Sequence, residues 1–220
     1  MLPRSYKSYF SFLLLPFLLL AIVATAKAYT VYVSTTGDDT GPGTAAAPFR
    51  HINFAALTAA DLIYVAFGVY TETVDGTTGV WTVNNPCTLT AWGGAGSEPK
   101  IYASGLANAI YVTTNNGLTI DGFNIQSSTS YAVRFQDTSQ TDWDKCTLAN
   151  CTISGAGNYG AYWFRMSDCS TYNCVFISDA GGIYTHTSPR HNASYNDIYG
   201  GTLGINIINN STYSYVGFNY

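Results

Sequence analysis

Hydrophobic residues in this chain fall in short runs of alternating, β-branched and aromatic positions, broken every few residues by Gly, Asn, Ser and Asp. The repeated part of the chain has no run long enough, or suitably spaced, for an amphipathic helix, so the pattern predicts strands. The runs place them at Leu62–Val65, Val80–Val83, Thr88–Trp92, Ile101–Ala103, Ile110–Thr113 and Leu118–Ile125. Looser connections are expected at Trp92–Pro99 and Ser127–Tyr131.

From Cys146 onward the pattern becomes periodic. Asn150, Asn173, Asn196 and Asn219 lie 23 residues apart. Their flanks align as Cys146-Thr-Leu-Ala-Asn150-Cys151-Thr-Ile153, Cys169-Ser-Thr-Tyr-Asn173-Cys174-Val-Phe176 and Asn192-Ala-Ser-Tyr-Asn196-Asp-Ile198. A second column reads Gly160-Ala-Tyr-Trp-Phe164, Gly182-Ile-Tyr-Thr-His186 and Gly204-Ile-Asn-Ile-Ile208, at an interval of 22. A repeat of this length means stacked units. Its strand character excludes helical solenoids, and the Leu-x-x-Leu-x-Leu frame of leucine-rich repeats is missing. A coil of about 23 residues with two or three strands fits a single-stranded parallel β-helix, an all-β solenoid whose coils hydrogen-bond about 4.8 Å apart. One bend of each coil needs a left-handed residue, which asparagine tolerates, and stacked amides can bond along the column. An asparagine ladder of four rungs is therefore expected. About six or seven coils fit the chain. From Gly122 to Asn150 the interval is 28, so a loop is expected to leave the coil near Gln136–Lys145.

Residues 1–28 stand apart from this pattern. Arg4 and Lys7, the apolar run Phe10–Ala24 and the small-x-small stretch Ala26-Lys-Ala28 read as a secretory signal. The run is too short to span a bilayer, so the expected location is extracellular or at the cell surface, without membrane insertion after cleavage. Cleavage would remove Arg4, Lys7 and Lys27 but no acid, taking the formal net charge from −4 to −7. That balance argues against nucleic acid and anionic membranes as partners. At 47% hydrophobic and 10% charged, the chain is too apolar for disorder. One domain and a monomer are expected. Residues 62–220 form the coils, and because Phe218-Asn219-Tyr220 stops in mid-coil, the coils are expected to be cut short at that end.

Residues 29–61 carry a strand, a Gly/Asp/Pro turn cluster and an Ala-rich segment, Asn53–Ala60, suited to a short helix that caps the open end of the solenoid. The text Tyr32-Val-Ser34-Thr-Thr-Gly37-Asp38-Asp39-Thr-Gly41-Pro42-Gly43-Thr44, then Pro48-Phe49-Arg-His-Ile52, continues into Asp61-Leu-Ile63-Tyr64-Val65-Ala-Phe-Gly68-Val-Tyr70-Thr-Glu72. It resembles the opening of secreted right-handed parallel β-helix proteins of the pectate-lyase-like superfamily. Ala60 and Phe67 stand where that family has Gly and Pro. The resemblance implies a right-handed coil and polysaccharide as partner, and it leaves activity open, because the same opening precedes lyases, epimerases, glycosidases and non-enzymatic surface proteins.

Five cysteines in a secreted chain invite disulfides. Cys146 aligns with Cys169 and Cys151 with Cys174, each pair one coil apart with parallel Cβ directions, a poor geometry for bridging. Buried thiols are expected, with Cys87 in the core.

Candidate chemistry is sparse. A lyase abstracts the C5 proton of a uronate with a Lys or Arg base while a cation neutralises the carboxylate. Arg165, His186, Arg190 and His191 fall at the end of the second column and in the turn after it, where they could face one groove. Asp137, Asp142 and Asp144 on the longer loop, with Lys145 beside them, are candidate calcium ligands next to a base. Lys145, Arg165, His186 and Arg190 are thus the candidate catalytic residues. Exposed tyrosines, among 18 in the chain, are candidates for stacking on sugars. Two function classes remain: an enzyme cleaving an acidic polysaccharide by β-elimination, and a non-catalytic adhesive or carbohydrate-binding module.

Overall fold

A computed structural model describes residues 28–71, 87–93, 98–113, 117–126, 128–137, 144–177, 180–208 and 215–217. These residues wind into coils whose strands add, one per coil, to three parallel sheets. The first sheet has eight strands, from Thr30–Val33 to Tyr215–Gly217; the second has six, from Val69–Tyr70 to Asp197–Tyr199; the third has five, from Asn108–Thr113 to Leu203–Ile208. One full coil runs Thr147–Ala149, Thr152–Ser154 and Tyr159–Phe164 before the next opens at Ser170–Tyr172.

The alternation seen in the sequence decides what fills the centre. Val31, Ile63, Leu89, Ile120, Leu148, Thr171 and Ala193 stand in register along the first sheet, each at most 1% exposed. Ile110, Val133, Ala161 and Ile183 do the same in the third, beside Val112, Phe135, Trp163 and Thr185. Phe135 and Trp163 stack at 4.0 Å with planes 2° apart. Burying such a column side by side with its neighbours contributes about 1.5–3 kcal/mol for each large side chain.

The turn from the first sheet to the second is made by a single left-handed residue. Between the first and second sheets that residue is Gly122, Asn150, Asn173 or Tyr195, with φ of 81°, 52°, 52° and 56°. Gly122 splits the expected Leu118–Ile125 strand into Thr119–Asp121 and Asn124–Gln126. Asn173 Nδ2 donates to Asn150 Oδ1 at 2.6 Å, and Asn150 Nδ2 to Asp121 Oδ1 at 2.5 Å. The expected four-rung asparagine ladder is not the arrangement found. Ser170 pairs with Asn192, a step of 22 residues, whereas Thr147 pairs with Ser170 at 23. The shorter coil brings Tyr195 to the turn and moves Asn196 one place inward. There Asn196 is buried, accepting from the Cys174 N–H and donating to the Thr171 carbonyl, both at 3.0 Å. Asn219 lies outside the described residues.

At the N-terminal end a helix, α1 (Ile52–Ala56), is shorter than the expected Asn53–Ala60 because Ala59 takes a left-handed φ of 55°. It buries Ile52, Ala55 and Ala56 against the first two strands of the first sheet. The expected signal, apart from Ala28, and the expected strand Val80–Val83 lie outside the described residues.

The five cysteines are buried thiols. Immediately before the paired residues Thr88, Thr119, Thr147, Ser170 and Asn192 stand Cys87, Leu118, Cys146, Cys169 and His191, all facing the interior. The Cys146 N–H donates to Cys169 Sγ at 3.2 Å. Burial is the main cause pushing the Cys87 thiol up to about 11 and Cys169 and Cys174 well above their ordinary value. Such thiols are poor nucleophiles at neutral pH.

Candidate functional site

The outer face of the third sheet gathers the polar and aromatic side chains that the core cannot take. Its outward column reads Tyr111, Arg134, Tyr162, Tyr184 and Asn206 from coil to coil, flanked by Gln136, Phe164 and His186 on one side and Tyr131 and Tyr159 on the other. These outward side chains are half-buried, because each ring leans on the next. Tyr131 and Tyr162 stack at 4.5 Å, Tyr162 and Tyr184 at 5.1 Å, Tyr159 and Tyr184 at 4.7 Å, and Phe164 and His186 at 5.0 Å. Gly181 makes room for this: a Cβ there would stand 2.3 Å from Tyr159 Cε1.

Stacking of this kind settles how the tyrosines can act. Rings within 15° of parallel and 4.5–5.1 Å apart cover one another's faces, so Tyr162 has neither face free for a sugar. The strip instead presents ring edges and phenol hydroxyls. Burial, then the Tyr131 neighbour, pushes the Tyr162 phenol up to about 12, and burial raises Tyr184, so both remain protonated donors at neutral pH.

Arg134 sits within this strip as its cation. The guanidinium carbon lies 5.0 Å from the Tyr111 ring centre, 5.5 Å from Tyr162 and 5.7 Å from Tyr131. Its Nη2 donates to Gln136 Oε1 at 2.6 Å, and Tyr111 donates to the same oxygen at 3.2 Å. Arg134 Nε is buried without a hydrogen bond. The five strands of this sheet contain no Asp or Glu, so the charge is not neutralised by its own sheet.

Three of the four candidate catalytic residues, Lys145, Arg165 and Arg190, fall at the turns joining the third sheet to the first. His186 closes the strand Gly181–His186 before such a turn, and the four form two groups. Arg165 lies with its guanidinium 4.9 Å from the Phe164 ring, on whose other neighbour, His186, the same ring stacks. Lys145, Asp168 and Arg190 occupy one position in three successive coils, with left-handed φ of 46°, 55° and 56°. Arg190 Nε and Nη2 grip the Asp168 carboxylate at 2.6 and 2.8 Å. That hydrogen bond, helped by the charges of Arg190 and Lys145, holds Asp168 below the usual carboxylate range. Arg190 is therefore committed to an ion pair, whereas Arg165 and His186 border the strip.

His191 does not join them in a groove. It is 2% exposed, with Nε2 at 3.2 Å from Thr171 Oγ1 and its ring 4.8 Å from Trp163. Burial pulls its pKa down to about 3, so it is neutral in the folded protein.

The five extra residues of the long coil fall between the third-sheet strand ending at Gln136 and the first-sheet strand opening at Thr147. Asp137 and Asp144 sit at the two ends of that segment, 0% and 1% exposed, and Asp142 lies outside the described residues. Asp144 Oδ2 accepts the Ser167 N–H at 2.8 Å. The described pair thus offers no open carboxylate cage for calcium. Among the described residues no group of three or more His, Cys, Asp or Glu could hold a metal ion.

Fold and face together define a parallel β-solenoid with a tyrosine-lined, arginine-bearing strip along one sheet. Residues 108–217, half of the chain, match the family described as the right handed beta helix region, and the chain belongs to that family. Among solved structures it is similar to the GH136 lacto-N-biosidase from Eubacterium ramulus, at 14% identity and a TM-score of 0.59, over 81% of this chain and 43% of that one. It is also similar to a rhamnogalacturonan lyase, at 14% identity and a TM-score of 0.45, over 87% of this chain and 58% of that one. The chain thus spans about half the length of these structures, and the likeness is one of fold. No curated protein matches it.

Proposed function

We propose that this chain is a secreted polysaccharide-binding β-helix that holds an acidic glycan along the outer face of its third sheet. The observation that carries the reading is Arg134, a half-buried guanidinium caged by three tyrosines on a sheet without a carboxylate. A uronate carboxylate would complete its hydrogen bonds, and charge-assisted bonds of this kind contribute about 1.5–3 kcal/mol. Coils repeat about every 4.8 Å, close to one sugar residue of an extended chain, so a glycan lying along the axis meets one outward side chain per coil. Phenol hydroxyls of Tyr111, Tyr162 and Tyr184 and the amides of Gln136 and Asn206 then serve its hydroxyls. The name of the similar lacto-N-biosidase agrees with a carbohydrate ligand. Calorimetric titration with polygalacturonate, with and without calcium, against a neutral glucan tests it. Selective binding of the acidic polymer that Arg134→Gln weakens about ten- to a hundredfold supports the reading; equal affinity for both polymers defeats it.

A second reading, β-elimination on the same face, is favoured by the meeting of Arg165 and His186 at Phe164, on the border of the strip. In that reading a base among Lys145, Arg165 and His186 removes the C5 proton, the C4–O bond breaks, and an unsaturated uronate is left. Its ultraviolet absorbance is the assay. A bound glycan that stays intact through prolonged incubation leaves the binding module as the function.

A further inference from the structure

A separate cavity of about 200 Å³ lies near the N-terminal end of the solenoid, lined by Thr35, Arg50, His51, Val69, Tyr70 and Thr71. It is remote in sequence from the strip, whose sheet begins at Asn108. Asp39 organises it. One carboxylate oxygen accepts the backbone N–H groups of Arg50 and His51 at 2.9 and 3.0 Å, and the other meets His51 Nδ1 at 2.5 Å. Burial raises the Asp39 pKa, but these bonds outweigh it and hold the carboxyl below its ordinary value. An ionised carboxylate only accepts, so Nδ1 carries a proton and the second ring nitrogen, Nε2, is left for a ligand.

Arg50 is exposed and lines the cavity, and its bond to Asp39 is made by the backbone N–H, which leaves the guanidinium fork open. With Nδ1–H spent on Asp39, Nε2 suits a hydroxyl donor, and the Arg50 guanidinium is the group that suits an anion. Guanidinium geometry fits a planar carboxylate, which it can bind through two parallel bonds. The volume is below the ~300–1,000 Å³ of clefts that hold drug-sized ligands, which limits the occupant to about one sugar ring. Thr35 and Thr71 add hydroxyls at the wall for the rest of such a molecule.

We infer that this cavity is a carboxylate-binding site that takes one sugar acid, its carboxylate on the Arg50 guanidinium and one of its hydroxyls donating to His51 Nε2, independently of the third-sheet strip. The experiment is an NMR titration of the full chain, following the His51 imidazole and the Arg50 side chain, with glucuronate as probe and glucose as the neutral control. Glucuronate is expected to give a saturable shift with a Kd on the order of 1 mM, and glucose none. Arg50→Gln, a change at an exposed side chain, should weaken binding at least about tenfold, as loss of a charged hydrogen bond predicts. Arg134→Gln should leave it unchanged. No saturable shift, an equal response to glucose, unchanged binding in Arg50→Gln, or loss of the shift in Arg134→Gln would each overturn the assignment.

Discussion

Replacing His191 by Gln isolates the consequence of placing an imidazole inside the solenoid. The side chain is 2% exposed, beside Trp163 and Thr171, and burial pulls its pKa from 6.5 to about 3. The unfolded chain therefore binds a proton between these two values and the folded chain does not. Stability contributed by the neutral form is complete above pH 6.5 and is lost as pH falls towards 3, with a slope of about 1.4 kcal/mol per pH unit in between. Integration gives a loss of about 1 kcal/mol at pH 6 and about 2 kcal/mol at pH 5 relative to neutral pH. Asp38, Asp39 and Asp168 are held below their ordinary values, so their contributions persist through this window and fail only in stronger acid. Gln has an amide that can keep a bond to Thr171 but cannot titrate. Urea unfolding of both proteins from pH 7.5 to 5 is the assay, and the difference between them should grow by about 2 kcal/mol in favour of the variant as pH falls. Parallel curves would mean that His191 is open to solvent and titrates normally, which would refute its interior position and the register that puts it there.

Further expectations concern the column, the turn and the strip. Trp163→Ala removes a fully buried ring stacked on Phe135 and should cost about 3–5 kcal/mol, read as a lower urea midpoint; a loss under about 1 kcal/mol would contradict a packed interior at that coil. Tyr195→Asn puts a residue tolerant of left-handed φ into the turn column above Asn173 and should stabilise by about 1 kcal/mol. A destabilised variant would mean that the turn is not built as described. Gly181→Ala would bring a Cβ to 2.3 Å from Tyr159 and should displace that ring from Tyr184, seen as loss of ring-current shifts in Tyr184 resonances, with the fold retained.

Much of the architecture was legible in the sequence because a solenoid repeats its instructions. Thr88–Trp92 was read to the residue, and the glycine-led second column, Gly160, Gly182 and Gly204, is in register at the spacing of 22. The first column misled by one residue. Matching letters at a constant interval of 23 aligned Asn196 with Asn173, whereas pairing of Ser170 with Asn192 closes that coil at 22. An asparagine inside the coil and one at its turn look alike in a sequence, and only the hydrogen-bond partners separate them. His191 was misplaced for a related reason, since its position belongs to the Cys146 and Cys169 column and therefore points inward. The strip was half visible. Tyr162 and Tyr184 recur at the third place of the second column, but Arg134 aligns with them across a step of 28, and the inserted segment obscured that register. Which face an aromatic ring turns to its neighbour has no signature in sequence at all.

Mapping a saturating tetragalacturonate onto the chain by NMR locates the face that holds the glycan. The largest shifts are expected at the Arg134 side chain and the rings of Tyr111, Tyr162 and Tyr184. Shifts confined to the outer faces of the first or second sheet, with the third sheet silent, would contradict a third-sheet binding face.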